Sequence, residues 1–404
     1  MYDVMQGVRV IEVAEHTFVP AAAMVLADWG ADVIKIERAD GGDASRHMRV
    51  IQRPGLRSNP YFEAANRGKR GIGLDLTQED GRARLYQLVE GADVFITNMR
   101  DDARVKLGIE PADLLKVNPR IVYASGTGYG KHGPLARARG FDFPSSWCRS
   151  GSAFVQTGTD GNPPPSQPGS VGDLTGGATL AGAIAAALFR RERTGKGCVV
   201  DHALYLMGTY IMSQSLISAS MGWKPTGSPP PRTEVPDPLN NVYRTSDGRW
   251  LVLCLLFDQW WPDFARQMGH DEWLTDDRYA DAAARATHSK ALIGELDEIF
   301  ATQTLAQWEA QLLHMEGVWA PMKSPGEVIE DVQALENGFV TPVSYGNGDD
   351  GHYLTGASPA QFDERPIGDL KAAPVFGQDT DDVMRELGLT DDQIAAMRSR
   401  GIVA

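Results

Sequence analysis

The sequence predicts an α/β fold: a doubly wound, Rossmann-like large domain carrying a smaller α+β domain. Three observations predict it. Short apolar strands alternate with helical patterns from Val8 to Ser125. Those strands are apolar on both faces, as in a parallel sheet covered by helices. A proline-rich break between Gly222 and Pro238 is then followed by a hairpin signal.

In chain order, VRVIEV (Val8 to Val13) reads as a buried strand and PAAAMVLADW (Pro20 to Trp29) as a helix stopped by Gly30. ADVIKIE completes a β-α-β unit. The alternation continues through GIGLDL, a helix around Gly81 to Val89, the strand ADVFIT, a helix at Pro111 to Val117 and the strand RIVYAS. The run Ala178 to Arg190 has strong helix formers and few charges, so it predicts a largely buried helix, with a basic last turn and Gly195 as C-cap. CVVDHALYLMGTYIMSQSLIS reads as a further strand running into a long helix. WKPTGSPPPRTEVPDP is too rich in proline for helix or sheet and reads as a semi-rigid linker. NNVYRTSDGRWLVLCLL gives a hairpin turning at Ser246-Asp247-Gly248, and the aromatic stretch with Trp260, Trp261 and Phe264 reads as core. Helix, strand-like segments and two short acidic-started helices complete the chain. The expected organisation is residues 1–221 for the N-terminal part of the large domain, 222–237 for the linker, 238–325 for the small domain, and 326–404 returning to the large one.

Composition narrows the function. The chain has 404 residues, 42% hydrophobic and 23% charged, with a net charge of −14. That charge opposes non-specific nucleic-acid binding, which depends on clustered Lys and Arg. No apolar run approaches the roughly 20 residues of a membrane span, and MYDVMQGVRVIEV lacks the charged start of a signal peptide, so a cytoplasmic protein with no membrane association is expected. Cys148, Cys198 and Cys254 have neither disulfide-framework nor zinc spacing, and no metal is expected. The mechanical parts of P-loops, zincins and α/β-hydrolases are missing. GTGYGKHG (Gly126 to Gly133) is a glycine-rich loop without the helix that a dinucleotide fingerprint opens.

Basic residues cluster around the expected strand ends despite the acidic total: Arg38; Arg67, Lys69 and Arg70; Arg100, Arg104 and Lys106; Lys131, Arg137 and Arg139. Such a group suits a phosphorylated ligand beside helix N-termini. VGDLTGG places Asp173 just upstream of the apolar helix. An aspartate there serves either as a simple N-cap or as a nucleophile that a bulky thioester approaches over Gly172, Gly176 and Gly177.

Taken together, GVRVIEV, LADWGADVIKIERADGGDASR, NRGKRGIGLDL, ADVFITNMR with KLGI, NPRIVYASGTGYGKHGP and VGDLTGG with TGKG resemble the family III CoA-transferases, over most of the chain. Formyl-CoA transferase, carnitine CoA-transferase and the related alpha-methylacyl-CoA racemase belong to that family. The resemblance implies a two-domain fold in an interlocked homodimer, coenzyme A as part of an acyl-CoA substrate, and a carboxylic acid as acceptor. It implies Asp173 as the catalytic carboxylate, acting through an aspartyl mixed anhydride and thioester. It carries CoA binding over to Thr17, Phe18, Arg38, Leu74, Asp75, Leu76, Asn98, Met99, Arg100, Lys106, Arg139, Gly140, Phe141 and Asp142.

Two departures matter. Where the racemases read GHD, this chain has Gly140-Phe141-Asp142, and phenylalanine cannot shuttle a proton. Formyl-CoA transferase has a histidine where this chain has Glu15, with His16 one place later, which points away from a formyl or oxalyl substrate. Phe143 and Trp147 are expected to extend an apolar acyl pocket. An acyl-CoA racemase acting at the α-carbon and a non-catalytic acyl-CoA-binding protein are the alternatives.

Overall fold

The structure, a computed structural model, describes residues 1–48, 56, 58–157, 163–223, 230–346 and 349–404. Two compact units form: one from residues 1–153, 166–223 and 331–404, the other from 154–165 and 224–330.

The first unit is built on a six-stranded parallel sheet of β1 (Arg9–Val13), β2 (Asp32–Glu37), β3 (Arg70–Gly73), β4 (Val94–Thr97), β5 (Val122–Thr127) and β6 (Cys198–Ala203). Their spatial order is β3-β2-β1-β4-β5-β6, so the direction of winding reverses between β1 and β4. Alternate residues feed opposite cores. Val10, Val33, Val94 and Val122 face one layer, while their neighbours Ile11, Ile34, Phe95 and Tyr123 face the other. Each such side chain contributes roughly 1.5–3 kcal/mol by leaving water, which explains the near-continuous apolar strands. Phe95 stacks on Tyr123 at 5.4 Å, and the Tyr123 hydroxyl donates to the Ile109 carbonyl at 2.8 Å.

One layer is formed by α1 (Phe18–Asp28) and the long helix Val171–Thr194. They pack closely because their contact is made of small residues. A Cβ on Gly177 would stand 2.7 Å from Ala21 Cβ and 3.0 Å from the Phe18 carbonyl oxygen, so only glycine fits there. The long helix is the one helix among the described residues with the length and apolar content of a membrane span, which the sequence expectation did not foresee. Leu180, Ala181 and Ile184 bury one face against α1, whereas Leu174 and Phe189 are exposed. The sequence predicts a largely buried helix, and half of its most apolar stretch is buried.

The other layer holds α3 (Glu79–Glu90) and the helix Pro111–Val117, joined by the two terminal helices Thr380–Glu386 and Asp391–Ser399. The chain end docks on β3: Asp75 N–H donates to the Ile402 carbonyl at 2.8 Å, and Gly71 N–H donates to Asp379 at 2.7 Å. A small sheet of β10 (Val340–Gly346), β11 (Asp349–Gly356) and β12 (Leu370–Lys371) accompanies them, with the Tyr353 hydroxyl donating to Glu63 at 2.7 Å. Glu63 lies in α2 (Pro60–Asn66), whose N-cap Asn59 accepts from Tyr61 N–H.

The second unit has an antiparallel sheet of β7 (Asn240–Arg244), β8 (Trp250–Cys254) and β9 (Trp319–Pro321) over a core of Trp261, Phe264, Trp273 and Trp308. Of the proline-rich linker, residues 224–229 lie outside the described residues. Its second half is anchored, since Arg232 pairs with Asp297 at 2.5 Å within the same unit.

Candidate active site

Where the sheet order reverses, the carboxyl ends of the strands open into two adjoining cavities. Such switch points are where open α/β sheets bind ligands. The first, about 300 Å³, is lined by Val13, Ile36, Arg38, Leu74, Leu76 and Met99 among others. The second, about 1030 Å³, runs from Asn98, Met99 and Arg100 past Arg137 and Arg139 to Phe141, Leu204 and Asp173. Glu15 and Met99 line both, so the two cavities adjoin, and the Asp173 carboxylate lines the second.

Asp173 stands in the first turn of the long helix, not upstream of it. The N-cap is Ser170, which makes no side-chain capping bond, so the N-cap reading of Asp173 is corrected. Three glycines among seven residues depress helix propensity from Val171 to Gly177, and the sequence expectation therefore started the helix too late. Packing overrides propensity here.

Beneath the aspartate lies a second carboxylate. Asp142 Oδ2 accepts the Asp173 backbone N–H at 3.1 Å, and Ser146 Oγ donates to both the carbonyl oxygen and the side chain of Asp142. Gly172 makes this stacking possible, since a Cβ there would stand 2.1 Å from Asp142 Oδ1 and 2.2 Å from Ser146 Oγ. Asp173 is 7% exposed. Burial, and next the negative charge of Asp142, push its carboxyl up to about 8. A partly desolvated carboxylate is a stronger nucleophile than one in water, and pKa shifts of this kind cluster at functional sites.

Two further side chains join the site that the sequence reading did not assign. Tyr61, one residue into α2, is held above its usual range by burial, opposed by the neighbouring Thr17 hydroxyl, with the charges of Asp173, Asp142 and Asp43 adding to the rise. His16 lines the second cavity, its ring edge-on to Phe141 with centroids 5.2 Å apart. Its backbone is left-handed, with φ of 65°. Asp43 Oδ1 holds that conformation by accepting His16 N–H at 3.1 Å, and Asn98 clamps Glu15 through its N–H at 3.0 Å and its carbonyl at 2.6 Å.

Asp43 is itself fixed in a buried charge network. Lys35 Nζ lies 2.8 Å from Asp43 Oδ2 and 2.9 Å from Glu12 Oε1, while Lys69 Nζ lies 2.6 Å from Glu12 Oε2. All four side chains are withdrawn from solvent.

The remaining expected residues separate into two groups. Phe18, Arg38, Leu74, Asp75, Leu76, Asn98, Met99, Arg100, Arg139, Gly140 and Phe141 line one cavity or the other. Thr17 and Asp142 are buried behind the wall, and Lys106 does not line the cleft, whereas Arg104 does. Phe143 and Trp147 do not line it either. Of the basic group, Arg67 pairs with buried Asp28, Lys69 with Glu12, and Arg70 with Asp32 and Glu386. Those three serve the fold, and Lys131 is taken up by Asp201. Arg137 and Arg139 have no acidic partner among the described residues and present free guanidinium groups to the cleft.

A parallel α/β sheet and a cleft that carries Arg137, Arg139 and a desolvated aspartate suit the acyl-transfer class of protein. The chain belongs to CoA-transferase family III, whose model matches residues 5–380. It is 30% identical to the (R)-2-hydroxy-4-methylpentanoate CoA-transferase of Clostridioides difficile over 403 residues, covering 99% of each chain. It is 28% identical over 398 residues to the cinnamoyl-CoA:phenyllactate CoA-transferase of Clostridium sporogenes, covering 97% of this chain and 95% of that one. Among solved structures, a CAIB/BAIF family protein from Brucella suis superposes with a TM-score of 0.82 at 28% identity, covering 95% of this chain and 99% of that one. These findings support an enzyme that transfers CoA.

Proposed function

We propose that this enzyme moves CoA from an acyl-CoA thioester to a free carboxylic acid through covalent chemistry on Asp173. The observation that carries the reading is the desolvated Asp173 carboxyl lining a cavity that also holds the unpaired Arg137 and Arg139 among the described residues. The nucleotide end of the thioester substrate lies in the strand-end cavity beside Arg38, and its pantetheine arm runs along the second cavity.

Deprotonated Asp173 attacks the thioester carbonyl and expels CoA thiolate, leaving an acyl-aspartyl anhydride. The thiolate attacks the aspartyl carbonyl, releasing the donor carboxylate and forming an aspartyl-CoA thioester. The acceptor carboxylate attacks this thioester and again expels thiolate, and the thiolate takes the new acyl group from the second anhydride. Asp173 is restored, and no electrons are exchanged with an outside group.

For the acceptor we infer a 2-hydroxy acid with an apolar body. Phe18, Phe141 and Leu204 supply apolar wall to the cavity that Asp173 lines, and two relatives carry the names of 2-hydroxy acids. A homodimer is part of the same reading. Phe189, Leu206, Tyr210, Ile211 and Met221 are exposed apolar side chains along consecutive helices, a surface suited to a second copy threaded against it.

D173A should abolish turnover while retaining acyl-CoA binding measured by calorimetry. Substantial transferase activity in that variant would overturn the assignment. One observation favours a second reading, α-proton exchange: an imidazole, His16, stands beside Phe141, where the racemases carry histidine. Solvent deuterium entering the α-carbon without any acceptor acid would support it.

A further inference from the structure

We infer that His16 is a specificity-determining residue, donating a hydrogen bond from Nε2 to an oxygen substituent on the carbon next to the acceptor carboxylate. This rests on the transferase reading and goes beyond it by naming the side chain that selects 2-hydroxy acids over their deoxy counterparts.

Four observations converge on the ring. The backbone of His16 is left-handed, a conformation that a histidine adopts at some energetic cost and that the surroundings must enforce. Enforcement is present: Asp43 accepts its N–H, and Asp43 is locked by Lys35, Ser45 N–H and Ser45 Oγ. The loop is thus built to place this one side chain. His16 lines the cavity that Asp173 also lines, and Phe141 packs on its ring edge-to-face.

The fourth observation fixes its chemistry. His16 Nδ1 is buried with no hydrogen-bond partner among the described residues. An orphaned buried donor is rarer and more costly than an orphaned acceptor, so in the neutral ring the proton sits on the other nitrogen. Nε2–H then has no protein partner among the described residues, and because the residue lines the cavity, we take this N–H as the donor that a ligand meets there. A hydroxyl oxygen satisfies that donor. A methylene leaves it unsatisfied, and a site built around a polar contact rejects the analogue that lacks it.

The test uses one acyl-CoA donor with two acceptors, 3-phenyllactate and 3-phenylpropionate, which differ by the 2-hydroxyl. The wild-type enzyme should prefer phenyllactate in kcat/KM by about tenfold or more, the worth of one well-placed hydrogen bond. H16G suits the left-handed backbone and removes the ring; its preference should collapse to about twofold or less, with the loss falling on the hydroxy acid. H16N also tolerates that backbone and keeps an N–H donor, and it should retain an intermediate preference. An unchanged preference in H16G would overturn the proposal. So would an equal loss on both acids, which would make His16 a stabiliser of the reacting carbonyl and not a reader of the acid. A wild-type enzyme that exchanges CoA without preferring the hydroxy acid would overturn this inference alone, whereas no exchange with any acid would overturn the transferase reading beneath it.

Discussion

The backbone N–H of Asp173 donates to the carboxylate of Asp142 at 3.1 Å, so the aspartate that lines the cleft rests on a second negative charge. The contact does two things. It fixes the first turn of the long helix, and it opposes ionisation of the Asp173 side chain, adding to the larger effect of burial.

D142N keeps an acceptor for the Asp173 N–H and removes the charge. The Asp173 carboxyl should then titrate lower, while burial, the larger cause, still holds it above the ordinary carboxylate range. The acidic limb of the pH profile of kcat/KM, which reports the free enzyme, should move from about 8 downward. A limb that stays in place or moves up would contradict the coupling.

Asp173 should also destabilise the protein as pH rises. Its folded value is raised, so between about 4 and about 8 the folded chain keeps a proton that the unfolded chain has lost. Stability from this group is therefore present at low pH and lost through that window, with a ceiling of roughly 5 kcal/mol. D173N, which cannot ionise, should melt higher than wild type, and the gain should grow from pH 5 to pH 9. A gain independent of pH would show that the carboxyl is not desolvated in solution.

G172A should be among the most damaging small substitutions, because the added methyl collides with Asp142 and Ser146 beneath the helix. Loss of about a hundredfold in kcat/KM is expected, since misplacing reacting groups by about 1 Å is that costly. G294A is the control. It lies mid-helix in Ser289–Phe300 with open space around it and should raise stability by about 1 kcal/mol. Equal effects of the two variants would show that close stacking at Gly172 is unimportant.

K35M leaves Asp43 and Glu12 buried without one of their cations. Breaking such a network from one side typically costs about 3–5 kcal/mol, readable as a lower denaturation midpoint. Because Asp43 also holds His16 N–H, the acceptor preference should weaken in parallel. A variant with wild-type stability would mean that water replaces the ammonium.

The strands were legible in the sequence because a parallel sheet leaves apolar residues on both faces, and β1 to β5 fall where that pattern places them. Asp173 was legible from VGDLTGG, although its helix was read as starting too late because glycines mask a start that packing on α1 enforces. Asp142 could not be seen as its support, since 31 residues separate the pair. Arg67, Lys69 and Arg70 looked like ligand cations because a sequence does not show that Asp28, Glu12 and Asp32 neutralise them. A signal did exist: Glu12 and Lys35 interrupt otherwise apolar strands, and charges buried in a sheet require partners. The short helix Asp101–Leu107 was missed although Asp101 and Asp102 in its first turn and Gly108 at its left-handed C-cap mark it.

The central claim is that Asp173 becomes covalently acylated, and mass spectrometry tests it most directly. The wild-type enzyme would be incubated with a panel of acyl-CoAs and treated with hydroxylamine to trap activated carboxyls. The account predicts a hydroxamate on the peptide containing Asp173, dependent on acyl-CoA and absent from D173N. Bound acyl-CoA and measurable CoA exchange without any modification of Asp173 would contradict it.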